Sequence, residues 1–182
     1  MTQSHVEYEA KILNIDVDGI VKKLKKIGAI EGQAYAFRRY VFDTIPPIKG
    51  RWVRLRSNGI VTTLTVKEIH DDTIEGTHEW EVEVSDIATC LTILEKISLQ
   101  PKGYQENRRT EYKLGDVELS IDHWPQLSPY LEIEGKSEAD VVDAAKLLGF
   151  AKEELTSRNT EALYADAGIT LNDIPELKFT EE

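Results

Sequence analysis

Carboxylate and basic side chains alternate with apolar residues in several short segments of this 182-residue chain. In HVEYEAK the charged positions are Glu7, Glu9 and Lys11, and in WVRLR they are Arg54 and Arg56. Guanidinium and ammonium groups neutralise phosphoryl oxygens, whereas carboxylates hold hard divalent ions that also bind phosphates. Side chains of these types on neighbouring strands would suit metal-assisted chemistry on a phosphate chain.

The charged residues share one strand parity, and three strands are predominantly acidic whereas others supply most of the positive charge. Any one of these strands could also belong to an ordinary half-buried sheet whose charged face lies in water, so that interpretation stays open. The sorting by sign favours a sheet closed into a barrel, with its apolar parity outward beneath helices and a polar tunnel inside. The members of the charged parity are Glu7, Glu9, Lys11, Arg54, Arg56, Lys67, Glu79, Glu81, Glu83, Arg109, Asp122, Glu132 and Glu134.

The elements that must position these residues can be predicted from alternation, helical periodicity and turn signals. Asp16 is a candidate cap for the first helix, and Asn58-Gly59 predicts a hairpin turn. The pattern predicts a single α+β domain over residues 1–182, with a core at about 4–168 and a C-terminal tail at 169–182, whose acidic end PELKFTEE we expect to be frayed. Strands are predicted at about 5–13, 33–43, 51–57, 60–68, 78–84, 102–113, 116–123 and 130–135, and helices at about 17–27, 86–97, 137–150 and 159–168.

Composition excludes some classes of function. The chain has 22 Lys and Arg against 33 Asp and Glu, a net charge of −11, which argues against nonspecific nucleic-acid binding. No secretory leader or apolar run of spanning length is present in the sequence, so we expect a cytoplasmic protein without a membrane partner. The outer helix surfaces would be compatible with a homodimer.

The order of the motifs resembles that of the CYTH, or triphosphate tunnel metalloenzyme, family, and the similarity covers nearly the whole chain. The motifs are VEYEAK, FRRYVFDT, VRLR, TLTVK, EWEVEV, RRTEY, LSID and LEIEG. The resemblance implies a closed eight-stranded antiparallel β-barrel, with helices outside, that acts on a triphosphate-bearing small molecule with Mg²⁺ or Mn²⁺.

The resemblance also implies roles for individual residues. Glu79, Glu81 and Glu83 would share the orienting of cations and of metal or water, although Glu83, at the end of its strand, could equally be a surface charge. For a hydrolase, our own candidates to assist proton removal are Lys11 and Glu81. Metal ligands, direct or through water, would be Glu7, Glu9, Asp122, Glu132 and Glu134. Phosphate ligands would be Lys11, Arg54, Arg56, Lys67 and Arg109.

Two positions depart from the family pattern. Arg39 stands where an acidic residue is common, and Asn107 stands where a lysine is common. The first adds a positive charge to the tunnel or reflects a repacked strand, whereas the second removes a possible phosphate contact. Neither change touches the acidic metal set.

Hydrolysis of inorganic triphosphate or thiamine triphosphate, and secondarily of nucleotides, is the favoured function. Trp52 points inward by its parity, where its ring would suit a cationic organic group or simple barrel packing. The alternatives are a class IV adenylate cyclase, which makes cyclic AMP and pyrophosphate from ATP, and a non-catalytic module that binds polyphosphate or nucleotide.

Overall fold

The computed structural model describes residues 5–71 and 73–180 and contains a closed antiparallel β-barrel. The strands are β1 (His5–Ile12), β2 (Ile30–Asp43), β3 (Arg51–Ser57), β4 (Thr62–Ile69), β5 (Thr77–Val84), β6 (Pro101–Leu114), β7 (Val117–His123) and β8 (Tyr130–Gly135). They pair in the order β2-β3-β4-β5-β1-β8-β7-β6, and β2 pairs with β6 to close the ring. The predicted α+β fold with an eight-stranded barrel is therefore confirmed.

Short turns set the register of the hairpins. In the β3–β4 turn, Oδ1 of Asn58 accepts hydrogen bonds from the backbone N–H groups of Ile60 and Val61, at 2.9 and 2.8 Å. Gly59 has a φ of 88°, a conformation that glycine adopts without strain. The predicted hairpin is confirmed, but β4 begins at Thr62 rather than at Ile60 because these N–H groups bind the turn instead of the neighbouring strand.

Four α-helices flank the barrel within the described ranges, and none of them is both long and apolar enough to cross a membrane. Leu24 of the first helix and Val141 of the third pack in one core with Ile133 of β8. Leu94 of the second helix packs with Leu55 of β3 in another. The apolar parity thus faces outward beneath helices, as predicted. The helices are α1 (Val17–Lys26), α2 (Ile87–Lys96), α3 (Glu138–Leu147) and α4 (Thr160–Asp166).

The start of α1 differs from the expected cap. Asp16 occupies the N-cap position with extended backbone, but its side chain makes no capping hydrogen bond. The first turn is instead closed by the backbone, where the N–H of Ile20 donates to the carbonyl of Asp16 at 2.9 Å. Side-chain capping occurs in α2, where Asp86 accepts from the N–H of Thr89 at 2.7 Å.

The C-terminal segment is anchored to the barrel at residues 176–177, which corrects the expectation of a frayed end there, while residues 181–182 lie outside the described residues. A short strand, β9 (Glu176–Leu177), runs parallel to β6. Leu177 is 1% exposed and packs with Trp124, Tyr130 and Tyr164. The apolar residues within the acidic tail carry this packing, so its overall charge was a poor guide to its order.

Candidate active site

The inside of the barrel is a polar cavity of about 1090 Å³. Most residues singled out from the sequence line it, whereas Asp122 lies behind its wall and Glu83 is exposed outside the lining. The structure also adds wall residues from 157–172 that the sequence analysis did not include, such as Asn159 and Asn172. The predicted residues in the lining are Glu7, Glu9, Lys11, Trp52, Arg54, Arg56, Lys67, Glu79, Glu81, Arg109, Glu132 and Glu134.

Arg109 is held on two sides by carboxylates. Its Nε and Nη2 donate to Oδ1 and Oδ2 of Asp122 at 3.0 and 2.6 Å, and Nη2 also lies 2.6 Å from Oε1 of Glu132. Burial alone would lower the pKa of Arg109, but Glu132 and Asp122 outweigh it and raise the pKa. Asp122 is completely enclosed and here orients Arg109 through a bidentate contact, while its ligation of a metal stays a prediction.

Lys11 is enclosed between two carboxylates. Its Nζ donates to Oε1 of Glu9 at 2.9 Å and lies 3.4 Å from Oε2 of Glu132. Burial alone would lower the pKa of Lys11, but the two carboxylates outweigh it and raise the pKa. Lys11 is therefore protonated, which suits binding of a phosphate oxygen and does not suit acceptance of a proton.

Lys67 bridges two glutamates on neighbouring strands of the ring. Its Nζ lies 3.0 and 2.7 Å from the two carboxylate oxygens of Glu7 and 2.8 Å from Oε2 of Glu79. Burial raises the pKa of Glu7 to about 8 although Lys67 opposes the shift, and Glu9 and Glu79 add to it. Glu79 differs: burial would raise its pKa, but Lys67 and Arg54 outweigh burial and lower it to about 2. The pair therefore carries a proton more readily on Glu7 than on Glu79.

Glu81 is held in place at one oxygen. Its Oε2 accepts hydrogen bonds from Oγ1 of Thr65 at 2.6 Å and from Nη2 of Arg54 at 3.3 Å. The same Nη2 lies 3.7 Å from Oε2 of Glu79. These contacts fix the orientation of the Glu81 carboxylate, while its side chain stays 33% exposed and open to water.

Arg39 belongs to the cavity wall, and its contacts could not be inferred from the sequence. Its guanidinium lies 4.4 Å from the ring centre of Trp124, and Nη2 donates to Oδ1 of Asn107. The two positions that depart from the family pattern thus touch each other. Strand parity is the one sequence signal for Arg39, because it lies on the same face of β2 as Phe37 and Val41, which also line the cavity.

The carboxylate groups of the cavity supply oxygen donors of the kind that divalent cations bind. Glu9 lies directly opposite Glu134 across β1 and β8, and Glu134 lies opposite Glu118 across β7 and β8. Burial, followed by Glu132 and Glu9, raises the pKa of Glu134 to about 7, and a divalent cation would relieve this repulsion. No three His, Cys, Asp or Glu side chains within the described residues are grouped so as to hold a metal ion, because several carboxylates turn instead to lysine and arginine.

Comparison with protein families decides the affiliation. The family model described as "CYTH domain" matches residues 5–164. The chain belongs to the CYTH domain family. CYTH proteins are triphosphatases or cyclases that bind triphosphate substrates and generally depend on divalent metal. No curated protein matches the chain.

Solved structures share the fold at low identity. The PH1012 protein of Pyrococcus horikoshii has a TM-score of 0.75 and 23% identity, with 86% of this chain and 98% of that chain covered. A protein of Vibrio parahaemolyticus, described as a candidate adenylate cyclase, has a TM-score of 0.75, 13% identity and coverages of 90% and 99%. A Hippeastrum protein, described as a candidate adenylyl cyclase with a dominant triphosphatase activity, has a TM-score of 0.56, 16% identity and coverages of 91% and 97%.

Proposed function

We propose that this CYTH protein hydrolyses a triphosphate substrate inside the barrel, with Mg²⁺ or Mn²⁺ as cofactor. The observation that carries the proposal is a pair of enclosed guanidinium donors beside the cavity. Nε of Arg39 and Nε of Arg54 are buried, and neither has a hydrogen-bond acceptor among the described residues. A buried donor without a partner costs free energy, so an anion that enters the cavity and accepts from these groups would be stabilised.

The fixed cations of the cavity would bind the phosphate chain. Lys11 and Arg109 lie on the side of β1, β6 and β8, while Lys67 and Arg54 lie on the side of β3 and β4. Their carboxylate partners hold these cations in place before the substrate arrives, so less side-chain conformational freedom would be lost on binding. Electrostatic stabilisation by groups fixed in advance is usually a large part of catalysis of phosphoryl transfer.

The acidic side chains would hold the metal and receive the proton. Glu9 and Glu134 are the proposed central metal ligands, and Glu7 and Glu132 would join them when substrate phosphates displace them from Lys67 and Lys11. When bound, the divalent ion would polarise phosphoryl oxygens and lower the pKa of a coordinated water. Glu81 is the proposed proton acceptor because Thr65 and Arg54 orient it, whereas Lys11 is already protonated.

Inorganic triphosphate and thiamine triphosphate are the proposed substrates. Trp52 lines the cavity and is the direct neighbour of Lys67 across β3 and β4. Its ring would lie beside an organic group at that end of the phosphate chain. The dominant triphosphatase activity ascribed to the Hippeastrum protein supports hydrolysis within this fold. The Vibrio protein's description as a candidate adenylate cyclase keeps cyclisation of ATP as the second candidate.

Product analysis separates these functions. The pure protein is incubated with tripolyphosphate, thiamine triphosphate or ATP, each with Mg²⁺, Mn²⁺ or EDTA, and phosphate and cyclic AMP are followed together. Metal-dependent release of phosphate is the expected result. Cyclic AMP and pyrophosphate from ATP would identify a cyclase, and tight binding without any product would identify a binding module.

A further inference from the structure

The cations of the cavity fall into two groups that differ in what holds them. Lys11, Lys67, Arg54 and Arg109 each lie within 4.0 Å of a glutamate or aspartate carboxylate, which compensates their charge. Arg39 and Arg56 are held by aromatic rings, and among the described residues neither has a carboxylate within that distance. Positive charge that the protein does not compensate is therefore concentrated at Arg39 and Arg56.

Aromatic contacts leave the hydrogen-bonding edge of a guanidinium available. Arg39 lies 4.4 Å from the ring centre of Trp124, and Arg56 lies 4.8 Å from that of Phe37. A ring binds the face of the guanidinium plane, whereas the N–H donors point outward within that plane. Arg39 uses one donor on Asn107, and its buried Nε has no acceptor in the described chain.

Arg39 and Arg56 are also neighbours in the wall of the barrel. Arg39 and Arg56 lie directly opposite across β2 and β3, and both line the cavity. Burial, followed by Arg54 and Arg109, lowers the pKa of Arg56 to about 9. Burial, followed by Arg54 and Arg56, also lowers the pKa of Arg39. An anion bound by Arg39 and Arg56 would relieve the repulsion that the arginines of the cavity exert on both.

We propose that Arg39, which departs from the family pattern, is a further phosphate ligand of this chain: together with Arg56, a phosphate ligand already implied by the family, it forms the principal anion subsite of the cavity and binds the terminal phosphate of the chain. Asn107 and Trp124 position Arg39 for this contact. Trp52 lies four residues before Arg56 on β3, a separation of roughly 13 Å, so an organic group beside Trp52 would lie at the opposite end of the substrate. The identity of the substrate rests on the proposed function, whereas the subsite would bind any phosphate anion.

Calorimetric titration without metal tests the subsite independently of turnover. Pyrophosphate and tripolyphosphate are titrated in EDTA into the wild-type protein and into Arg39→Gln, Arg39→Lys, Arg54→Gln and Arg38→Gln. Arg38 is the matched control because it is the exposed neighbour of Arg39 on the same strand. Thermal unfolding without ligand establishes that each variant folds.

Arg39→Gln is expected to lower the affinity for both anions by roughly tenfold or more. Arg39→Lys should recover part of the lost affinity, because lysine restores the charge without the planar guanidinium. Arg54→Gln should change affinity less than Arg39→Gln, since Glu79 and Glu81 already compensate Arg54, and Arg38→Gln should bind like the wild type. Equal binding by Arg39→Gln and wild type, a larger loss in Arg54→Gln, or no binding to the wild type in EDTA would overturn the subsite. None of these binding measurements depends on catalysis. If they overturn the subsite while the wild-type protein still hydrolyses triphosphate with metal, the proposed function stands.

Discussion

Glu9 and Glu134 lie directly opposite each other on β1 and β8, and both line the cavity. Burial of Glu134 raises the cost of its ionisation, and the like charges of Glu132 and of Glu9, which faces it across the ladder, add to that cost. The pKa of Glu134 rises to about 7 from an ordinary value of 4.5, with burial as the largest cause. Full ionisation of the carboxyl groups on this side of the cavity is therefore unfavourable in the metal-free protein at neutral pH.

This relationship predicts how stability depends on pH. The pKa of Glu134 is higher in the folded state than in the unfolded state. Its contribution to the free energy of unfolding is therefore fully present below the unfolded-state pKa and is lost as pH rises through the folded-state pKa. The metal-free wild type should lose on the order of 1 to 3 kcal/mol of unfolding free energy from Glu134 between about pH 5 and about pH 8, and Glu134→Gln should lose less. Urea unfolding in EDTA at both pH values measures this difference.

Added Mg²⁺ should reverse the loss in the wild type more than in Glu134→Gln, because the cation would bind the ionised carboxylates. The matched control is Glu83→Gln, whose side chain is on β5 outside the cavity lining. An identical pH dependence in wild type and Glu134→Gln would contradict the interpretation of the Glu9–Glu134 pair.

Arg109→Gln should destabilise the protein. The substitution leaves Asp122 and Glu132 without the guanidinium that compensates both, and Asp122 is fully enclosed. Removal of one partner from a buried ion pair costs roughly 3 to 5 kcal/mol. Urea unfolding at neutral pH measures the cost. The double variant Arg109→Gln with Asp122→Asn should regain part of it, and a double variant no more stable than the single one would contradict the assigned pairing.

Lys11 should act as a permanent cation rather than as a base. Because Glu9 and Glu132 raise the pKa of Lys11 against the effect of burial, it stays protonated through the neutral and mildly alkaline range. Lys11→Arg should keep the shape of the pH profile of kcat/KM for tripolyphosphate, while Lys11→Gln should lower kcat/KM at every pH. A wild-type profile with a limb that rises near neutral pH and disappears in Lys11→Arg would assign proton transfer to Lys11 after all.

Trp52→Ala should separate substrates with and without an organic group. If the indole contacts the cationic ring of thiamine triphosphate, its removal should raise KM for that substrate by roughly 3- to 30-fold. Tripolyphosphate has no group to contact the ring, so its KM should change little, and steady-state kinetics on both substrates provide the comparison. Equal effects on both would indicate that Trp52 packs the barrel and does not select the substrate.

The fold could be predicted because charged and apolar residues alternate almost without interruption along most strands. The bounds of β3 and β8 agree with the prediction, and other strands differ by a few residues at their ends. Alternation alone also predicts that Lys67, Arg54 and Glu132 lie on the inner face, and all three line the cavity. Parity needs no knowledge of partners, so a two-residue period is enough to establish which side chains face inward.

The pairing inside the cavity could not be predicted in the same way. Asp122 shares the parity of the predicted metal ligands, yet it lies behind Arg109 because Arg109 is its direct neighbour across β6 and β7. Arg39 depends on Trp124, which comes from the connection between β7 and β8, far away in sequence. The first contact follows from the register of the β6–β7 hairpin and the second from the path of a loop, and alternation along a single strand encodes neither.

Phosphate release from tripolyphosphate tests the central claim most directly. It is measured for the wild type with Mg²⁺, for the wild type with EDTA, and for Glu132→Gln with Mg²⁺, after circular dichroism has established that the variant folds. The account predicts release by the wild type with Mg²⁺ and almost none in the other two samples, because both the metal and the Glu132 carboxylate are needed. Equal release with EDTA, or undiminished release by Glu132→Gln, would contradict a metal-dependent triphosphatase that works inside this cavity.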